Sequence, residues 1–421
     1  MNRVIPSSAA SQTDLPLATA VLMITSFVPA AVFYLAGTAS HAPGVVAASC
    51  VLALIYGIAP EQSRRGLTLE RWIVVVVFVV LVLAIHLLIA SLFHDTALGR
   101  AMLSLLVLAA LLSGAFMVSA ILNRVSDASL ERALAFIRIV FVVFAALSVL
   151  GIQLVAVSQY VSSEKSVFPF AEPSHFAIAF SPLLFHACLV NRGWRQIFWL
   201  IVGFAIAYLL RNLSLVVATG AAALVCLPIS RLLPAGLALV AAMGLLDIDY
   251  FTDRLDLTAQ TQNLSTLIYR QGWELVLDAV QRTGGWGIGF QQLGFVPFDS
   301  PSANVLFRIL RSDSNILDGG FVAAKLLSEL GAIGLALILA YIYLGARLGW
   351  KLRRSIASGT SLPPKLVFSG AVVCGYSIEL FVRGLGYFSG SALLLIAAIL
   401  MMRNVTRYSR PMDDAHAGAR R

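Results

Sequence analysis

Charged residues are scarce in this sequence of 421 residues: Asp, Glu, Lys and Arg make up only 12% of it. Soluble globular domains carry about 25%. Hydrophobic residues account for 59%, and the mean hydropathy is +0.88. These values exclude a soluble enzyme, a secreted disulfide scaffold and a disordered protein. Since a helix needs about 20 apolar residues to cross a bilayer, the composition suffices for about twelve crossings.

Cysteine pairs and metal-binding patterns are scarce as well. The four cysteines stand singly in apolar stretches and form no CxxC pair, so we expect them to be small core side chains. No HExxH motif occurs, and Asp247 and Asp249 form an isolated Asp-x-Asp pair without an evident third ligand. The sequence therefore predicts neither a bound metal nor a cofactor.

Nucleotide and nucleic-acid sites are not indicated either. The glycine-rich run 284–290 follows no predicted strand and contains no GK[ST] element, so it predicts a tight, close-approach turn. The net charge of +9 would suggest nucleic acid in a soluble protein. In a membrane protein, basic residues gather in cytoplasmic loops and contact lipid phosphates, so membrane lipids are the expected partner.

Long apolar runs are what the sequence has in abundance. Because backbone polar groups in lipid must be satisfied internally, such continuous runs predict helices. The predicted spans are 17–36, 44–59, 71–93, 101–122, 134–158, 174–190, 196–211, 213–230, 232–248, 320–349, 365–383 and 386–402. We predict an all-α polytopic membrane protein with one transmembrane domain, 1–403, and a polar cytoplasmic tail, 404–421.

The distribution of Lys and Arg predicts the orientation. With the N-terminus in the cytoplasm, 20 of the 30 basic residues fall in inside loops, as the positive-inside rule requires. Both termini are then cytoplasmic, and the first run is a span rather than a cleaved signal peptide. The two outer loops are 159–171 and 249–319, the larger of them between the ninth and tenth spans. Within it, 263–281 has the spacing of an amphipathic helix that lies on the membrane.

Arginine is concentrated in the large outer loop. The loop contains Arg254, Arg270, Arg282, Arg308 and Arg311. Guanidinium groups give bidentate, permanently charged contacts to phosphate, so the set predicts a pyrophosphate or another anion at this surface. The alternative is that each arginine pairs with a nearby acid or contacts lipid headgroups. The loop acids are Asp253, Asp256, Glu274, Asp278 and Asp313.

Glu172 and His175 open a span directly after the smaller outer loop. They are three residues apart and therefore share a helix face. A carboxylate and an imidazole in this place can serve as a general base and its orienting partner. The alternative is an acid that stabilises a helix N-terminus beside an interfacial histidine. His186 lies about 16 Å deeper along the same helix, too far away to act with His175.

Charges within spans are costly and are usually paired or functional. Glu379 and Arg383 have the four-residue spacing of an ion pair, and so do Lys325 and Glu329. Arg211 has no acid nearby and stands at the outer end of a short span, where it can reach the same anion as the loop arginines. His86, inside a span, is interpreted as a packed core residue.

Several of these segments together resemble the O-antigen polymerase and ligase superfamily of bacterial membrane glycosyltransferases. One is Glu172-Pro173-Ser174-His175-Phe176-Ala177 at the opening of a span. Another is Arg270-x-x-Trp273, followed by Gly285-Trp286-Gly287-Ile288-Gly289-Phe290. A third is the stretch 318–334, which contains Leu327-Ser328-Glu329-Leu330-Gly331. The order of the spans, with the large loop between the ninth and tenth, supports the same resemblance.

The resemblance implies a GT-C-like fold and a polymerase that extends a glycan on undecaprenyl pyrophosphate at the outer face of the inner membrane. Glu172 or His175 would orient or deprotonate the acceptor hydroxyl, and Arg270, with Arg211 or Arg254, would stabilise the leaving pyrophosphate. Further pyrophosphate contacts would come from Arg282, Arg308, Arg311 and Lys325. A polysaccharide chain-length regulator is an expected partner.

Two other functions stay open at this point. Ligases of the superfamily carry a His-Asn-type pair where this sequence has Gly320, which favours a polymerase over a ligase that transfers glycan to lipid A-core. A lipid-linked glycan flippase or transporter would be expected to show repeats and midplane charges. This sequence shows no repeat, and its charges gather toward the outer side.

Overall fold

The computed structural model describes residues 8–38, 40–58, 68–152, 166–228, 230–233, 236, 263–311 and 319–403. Its helices are α1 (Ser8–Ala36), α2 (Ala42–Ile58), α3 (Leu69–Ala90), α4 (Leu98–Arg124), α5 (Asp127–Val149), α6 (Pro173–Val190), α7 (Trp194–Leu209), α8 (Leu213–Cys226), α9 (Leu264–Thr283), α10 (Pro301–Leu310), α11 (Val322–Ser358), α12 (Pro364–Phe381) and α13 (Gly390–Arg403). No strand occurs among the described residues, apart from one isolated bridge between Val167 and Phe170.

Seven of these helices are long and apolar enough to cross a membrane: α1, α3, α4, α5, α6, α11 and α12. Four shorter helices, α2, α7, α8 and α13, are also apolar. The prediction of an all-α, multi-pass membrane protein is therefore confirmed. Eleven of the twelve predicted runs coincide with a described helix. The ninth run, 232–248, lies largely outside the described residues, so twelve spans and a GT-C-like fold stay predictions.

The break between α7 and α8 falls where the sequence placed it. Arg211 has a positive φ of 49°, and the Asn212 side chain accepts a hydrogen bond from the Leu215 backbone N–H at 3.2 Å. A side-chain oxygen at this position satisfies one of the backbone donors that a helix start leaves free. The predicted break between the two apolar runs at Arg211 and Asn212 is therefore confirmed, and both helices stay predicted spans.

One end of the bundle carries the segment 284–300, and we call it the loop end. The starts of α4 and α6 lie here with the ends of α3 and α12: His94 Nε2 lies 2.6 Å from the Ile288 carbonyl oxygen, and Arg383 contacts Glu172. At the opposite end, Lys365 lies 3.8 Å from Asp127, at the start of α5. The helices thus alternate in direction, as the predicted spans do.

Helix α11 is broken at Gly331, whose φ is 52° and ψ −123°. The segment 285–289 fills the break with backbone hydrogen bonds. The N–H groups of Ile288 and Gly289 donate to the carbonyls of Ser328 and Glu329 at 3.0 and 2.9 Å, and the Ala332 N–H donates to Gly285 at 2.9 Å. Helix carbonyls that the break frees inside a membrane protein are thereby satisfied, which lipid could not do.

The approach at this break is so close that only glycine fits. Gly287 has a φ of +95°, and a Cβ atom there would lie 2.6 Å from the Glu329 carbonyl oxygen and from the Gly331 nitrogen. No real Cβ tolerates such distances, and a positive φ of this size strains any other residue. The predicted close-approach turn in the glycine-rich run is confirmed.

Glu329 fixes the rest of the same segment. Its carboxylate is fully buried and accepts hydrogen bonds from the backbone N–H groups of Gln291 and Leu293 at 2.9 and 3.2 Å. Lys325 Nζ lies 3.7 Å from the same carboxylate, so the predicted Lys325–Glu329 pair is confirmed. Buried charges need such partners, because water no longer solvates them.

The α3–α4 hairpin holds the segment from its other side. His86 is buried, its Nε2 lies 3.0 Å from the Trp286 carbonyl oxygen, and its ring stacks on the Trp286 indole at 5.0 Å. Arg100 donates to the Leu293 carbonyl at 3.2 Å. The interpretation of His86 as a packed core residue is confirmed, and its packing partner is the glycine-rich run.

Helix α9 confirms the predicted amphipathic stretch, but its apolar face contacts protein. Leu267 and Leu275 are buried, and Gly272 packs so tightly against the chain before α11 that a Cβ there would lie 2.6 Å from the Gly319 carbonyl oxygen. Trp273 and Leu277 stay exposed. The prediction that this apolar face lies on the membrane is thus wrong for its larger part, because Leu275 packs against Ile288, Leu293 and Val296, and Leu267 packs against Leu306 of α10.

Candidate functional site

The start of α6 places two predicted residues side by side. Pro173 occupies the first helical turn, and Glu172, just outside it, has an extended backbone with φ −136° and ψ 153°. Ser174 donates a hydrogen bond to Glu172 Oε2 at 2.9 Å. His175 Nε2 lies 3.9 Å from the same oxygen. That is an ion-pair distance, longer than a hydrogen bond, as is common in sites without substrate.

Arg383 completes this group from the far end of the chain. Its Nη2 donates to Glu172 Oε2 at 3.3 Å, across 211 residues of sequence. The next residue, Gly384, donates its N–H to the Gly320 carbonyl at 3.0 Å, which holds the chain beside the start of α11. We call Glu172, His175 and Arg383 the acid–imidazole group.

The predicted pair between Glu379 and Arg383 is wrong. Helix α12 ends at Phe381, and the Arg383 N–H donates to Ile378, five residues back. This wider last turn moves Arg383 off the helix face that carries Glu379. The Glu379 carboxylate is buried and accepts a hydrogen bond from the Ser391 hydroxyl instead.

Glu172 is ionised at neutral pH. Burial by its neighbours raises the pKa of this carboxyl, but the charge of Arg383, then that of His175 and the hydrogen bonds from Ser174 and Arg383, lower the pKa to about 2. Its side chain is still 49% exposed, so solvent can reach it. A carboxylate with so low a pKa is a weak base, so its role is to hold a negative charge beside His175.

His175 is buried, and its Nδ1 atom has no hydrogen-bond partner among the described residues. Its ring meets the His41 ring edge-on, with centroids 5.5 Å apart. His41 precedes α2 and is itself stacked on Phe33 at 4.4 Å. Sequence reasoning missed both His41 and Arg383, because each contact joins segments that no local spacing relates.

A small cavity of about 30 Å³ lies beside His175, between α1, α6 and the start of α13. His41, His175 and Ser391 contribute polar atoms, and Ile178 and Leu394 belong to its largely apolar wall. A space of this size has room for a water molecule or two. It borders the acid–imidazole group at His175, and the gathering of these three polar side chains beside it makes the group a candidate site.

Two predicted phosphate contacts, Arg211 and Arg270, lie on segments that adjoin this site. The Asn212 side chain, next to Arg211, donates to the Pro173 carbonyl at the start of α6. Arg270, on α9, lies 3.7 Å from Glu274. Burial raises the pKa of Glu274, but hydrogen bonds from Ser300 and Ser302, together with the charge of Arg270, lower it below its ordinary value.

The other predicted cations lie elsewhere. Arg282 pairs with Asp278 at 2.9 Å, and Arg270 pairs with Glu274. For these two arginines, the predicted alternative of pairing with a nearby acid is confirmed. Arg308 and Arg311 are exposed on and just after α10, and Lys325 is buried against Glu329. Arg254 falls outside the described residues. Phosphate binding by these residues stays a prediction.

His186 belongs to a separate cluster toward the opposite end. Its Nδ1 lies 3.0 Å from Arg138 Nη1, and its Nε2 lies 3.3 Å from Glu131. The prediction that His186 does not act with His175 is consistent with this placement. Among the described residues, no group of three or more His, Cys, Asp or Glu side chains is arranged to hold a metal ion.

Comparison with known proteins adds no relative: no protein-family model matches the chain, and no curated protein matches its sequence significantly. The acid–imidazole group can accept a proton at His175, hold it near the Glu172 carboxylate, and present the Arg383 cation to an anion. What is established is an all-α, multi-pass membrane protein with an ionised carboxylate, an imidazole and a guanidinium gathered beside a cavity.

Proposed function

We propose that this chain is a bacterial membrane glycosyltransferase that polymerises oligosaccharide repeat units carried on undecaprenyl pyrophosphate. The reaction takes place at the outer face of the inner membrane, where the loop end lies. One observation carries the proposal: Glu172, His175 and Arg383 meet beside a cavity, at one end of a multi-pass helical bundle. The resemblance of these segments to membrane glycan polymerases supports it.

The reaction uses His175 as the base. A hydroxyl of one lipid-linked repeat unit attacks the anomeric carbon of the growing glycan, and its proton passes to the imidazole of His175. The new glycosidic C–O bond forms as the bond between the anomeric carbon and the diphosphate oxygen breaks, and undecaprenyl diphosphate leaves as the anion. Glu172, which stays ionised, stabilises the imidazolium that results.

Cations stabilise the charge that develops on the leaving group. Arg383 lies within the acid–imidazole group, and Arg211 and Arg270 stand on the adjoining segments. Preorganised donors of this kind are worth about 3–4 kcal/mol each to a transition state. The donor is already activated as a diphosphate ester, so the proposal includes no nucleotide and no cofactor.

The test is complementation of a host that lacks its own polymerase. His175→Ala and Arg270→Ala should each abolish the ladder of long surface glycans and leave single repeat units at the surface, since the base or a cation is lost. Arg195→Ala, at an exposed position in the first turn of α7, is the control and should keep the full ladder. Immunoblots of the membrane fraction verify equal protein levels.

The same experiment separates the competing functions. An unchanged ladder for His175→Ala excludes it as the base. If deletion of the protein removes every surface glycan, a flippase is indicated, because repeat units then never reach the outer face. If polymer accumulates on the lipid carrier, the protein is a ligase. A chain-length regulator, the expected partner, is sought by co-purification with the wild-type protein.

A further inference from the structure

Helix α11 continues well past its break, toward the end of the bundle opposite the loop end. The part after Gly331, 332–358, is about 40 Å long, whereas the hydrocarbon core of a bilayer is about 30 Å thick. Since the break lies at the loop end, the last turns of α11 extend into the headgroup region at the opposite end. Side chains on these turns are therefore placed to meet lipid phosphates.

One face of this part of α11 packs on α12. The Tyr341 hydroxyl donates a hydrogen bond to the Val373 carbonyl at 2.6 Å, and Leu348 is buried in a cluster with Leu366 and Val373. Leu352, one turn after Leu348, is buried as well. This packing leaves the opposite face of α11 directed away from the bundle.

The opposite face changes in character along the helix. Leu335 and Leu339 are exposed, and Tyr343, one turn farther on, is 68% exposed. The next turns carry four exposed residues, which we call the basic stripe: Arg347, Trp350, Lys351 and Arg354. Their spacing of three, four and seven residues places them on one helix face. The face thus runs from apolar through aromatic to cationic, which is the order of acyl chain, interface and phosphate in a phospholipid leaflet.

No acid of the surrounding chain balances the charges of the basic stripe. The sequence contains no Asp or Glu between Leu330 and Ile378, and within the described part of the chain Arg347, Lys351 and Arg354 form no ion pair. Arg353 differs, because it turns to another face and donates to the Leu224 carbonyl. The three stripe cations are thus left to an anion from outside the chain.

We propose that the basic stripe binds an anionic phospholipid of the leaflet at this end, which is the cytoplasmic leaflet in the predicted orientation. Its phosphate contacts Arg347 and Lys351, one acyl chain lies along Leu339, and Trp350 lies at the interface between them. The positive-inside rule accounts for cations at this end of the bundle. It does not account for three of them on one helix face, in line with exposed aromatic and apolar side chains. The inference is independent of the proposed function.

Fluorescence quenching by brominated lipids tests this proposal. The purified full-length protein is reconstituted in phosphatidylcholine vesicles with a rising fraction of phosphatidylglycerol, and one of the two lipids carries dibrominated acyl chains. Each protein is measured beside its Trp350→Phe derivative, so that the difference reports quenching of Trp350. We expect phosphatidylglycerol to bind beside Trp350 on the order of tenfold more tightly than phosphatidylcholine.

A matched pair of double variants separates a site from a general surface potential. Arg347→Gln with Lys351→Gln should bring the preference for phosphatidylglycerol at Trp350 close to one. Arg71→Gln with Arg195→Gln removes the same charge from exposed positions at the starts of α3 and α7 and should keep the preference. All four residues are exposed, so both variants should keep the wild-type thermal unfolding midpoint.

Three outcomes overturn the proposal. One is equal quenching of Trp350 by the two brominated lipids in the wild type. The second is an equal loss of preference in the two double variants, which would assign the effect to the summed positive charge of this end. The third is loss of the preference when millimolar glycerol phosphate is added to the vesicles, which would make the basic stripe a site for a soluble anion.

Discussion

Glu172 illustrates how one carboxylate acquires its role from a distant partner. Its neighbour His175 is the partner that spacing predicts, and Ser174 adds a hydrogen bond. The strongest cation beside it, Arg383, comes from beyond the end of α12. This pairing keeps the pKa of Glu172 near 2, so the carboxylate stays ionised at neutral pH.

The same pairing predicts an acid sensitivity. The folded-state pKa of Glu172, about 2, is below its ordinary value of 4.5, so the pair stabilises the folded state fully above that ordinary value. The contribution is lost as the pH falls from about 4.5 toward 2. In detergent micelles, the thermal unfolding midpoint of the wild type should therefore fall more steeply across this window than that of Glu172→Gln.

Glu70→Gln is the control for this measurement. Glu70 is an exposed acid at the start of α3 with no ion pair among the described residues, so its removal should leave the wild-type slope unchanged. Parallel slopes for the wild type and Glu172→Gln would contradict the assigned pairing.

At this scale, the sequence predicts what lies within one helical turn. The proximity of Glu172 and His175 follows from their spacing, and so does the Lys325–Glu329 pair. Arg383 was assigned to Glu379 by the same rule, which fails because α12 ends before Arg383. His41 offers no local signal at all, since its contact with His175 depends on how α1, α2 and α6 pack.

At the scale of elements, the break in α11 and the segment 285–289 form one unit. The glycines within 284–289 predict a close turn, and the structure confirms this turn. The break at Gly331 was not predicted, because the apolar run 320–349 reads as one continuous span. The sequence signal that could have predicted this break is the pair of glycines, Gly331 and Gly334, next to the acid Glu329 inside an apolar run.

Substitution of Gly287 tests this unit. In Gly287→Ala, the added Cβ would lie 2.6 Å from backbone atoms of Glu329 and Gly331, and alanine at a φ of +95° is strained as well. We expect destabilisation of at least about 2 kcal/mol, measured as a lower thermal unfolding midpoint in micelles and a loss of polymer.

Gly284→Ala is the matched control. Gly284 also has a positive φ, of 59°, but a Cβ there meets no atom within 4 Å. The control should lose only the stability that the strained backbone costs, about 1 kcal/mol. Equal losses in the two variants would show that the close approach between the segment and α11 does not form.

At the scale of the whole molecule, the alternation of apolar runs and basic residues predicts the helix directions. The described contacts agree with it, since they place the starts of α4 and α6 with the ends of α3 and α12. The cavity could not be predicted this way. Its walls come from α1, α6 and α13, and their mutual packing is set by side-chain shape, such as the approach of Gly390 to the Thr25 carbonyl.

Cysteine labelling tests the proposed orientation. Ser265→Cys, exposed at the start of α9, and Ser358→Cys, exposed at the end of α11, lie at opposite ends of the bundle. In intact spheroplasts, a membrane-impermeant maleimide should label the first and reach the second only after the membrane is permeabilised.

The wild-type protein measures the background of labelling from the four native cysteines. The reverse labelling pattern would place the loop end in the cytoplasm and exclude a reaction at the outer face.

The backbone hydrogen bonds between the segment 285–289 and α11 also constrain how the nascent protein folds. Its hydrogen-bonding partners are divided between α11 and the α3–α4 hairpin, which contributes His86 and His94. A ribosome-bound chain that stops before α11 has the hairpin but not the interrupted helix. The segment therefore reaches its final hydrogen bonding only after α11 is made and both pack beside helices made some two hundred residues earlier, and the bilayer insertion machinery must leave that hairpin accessible until then.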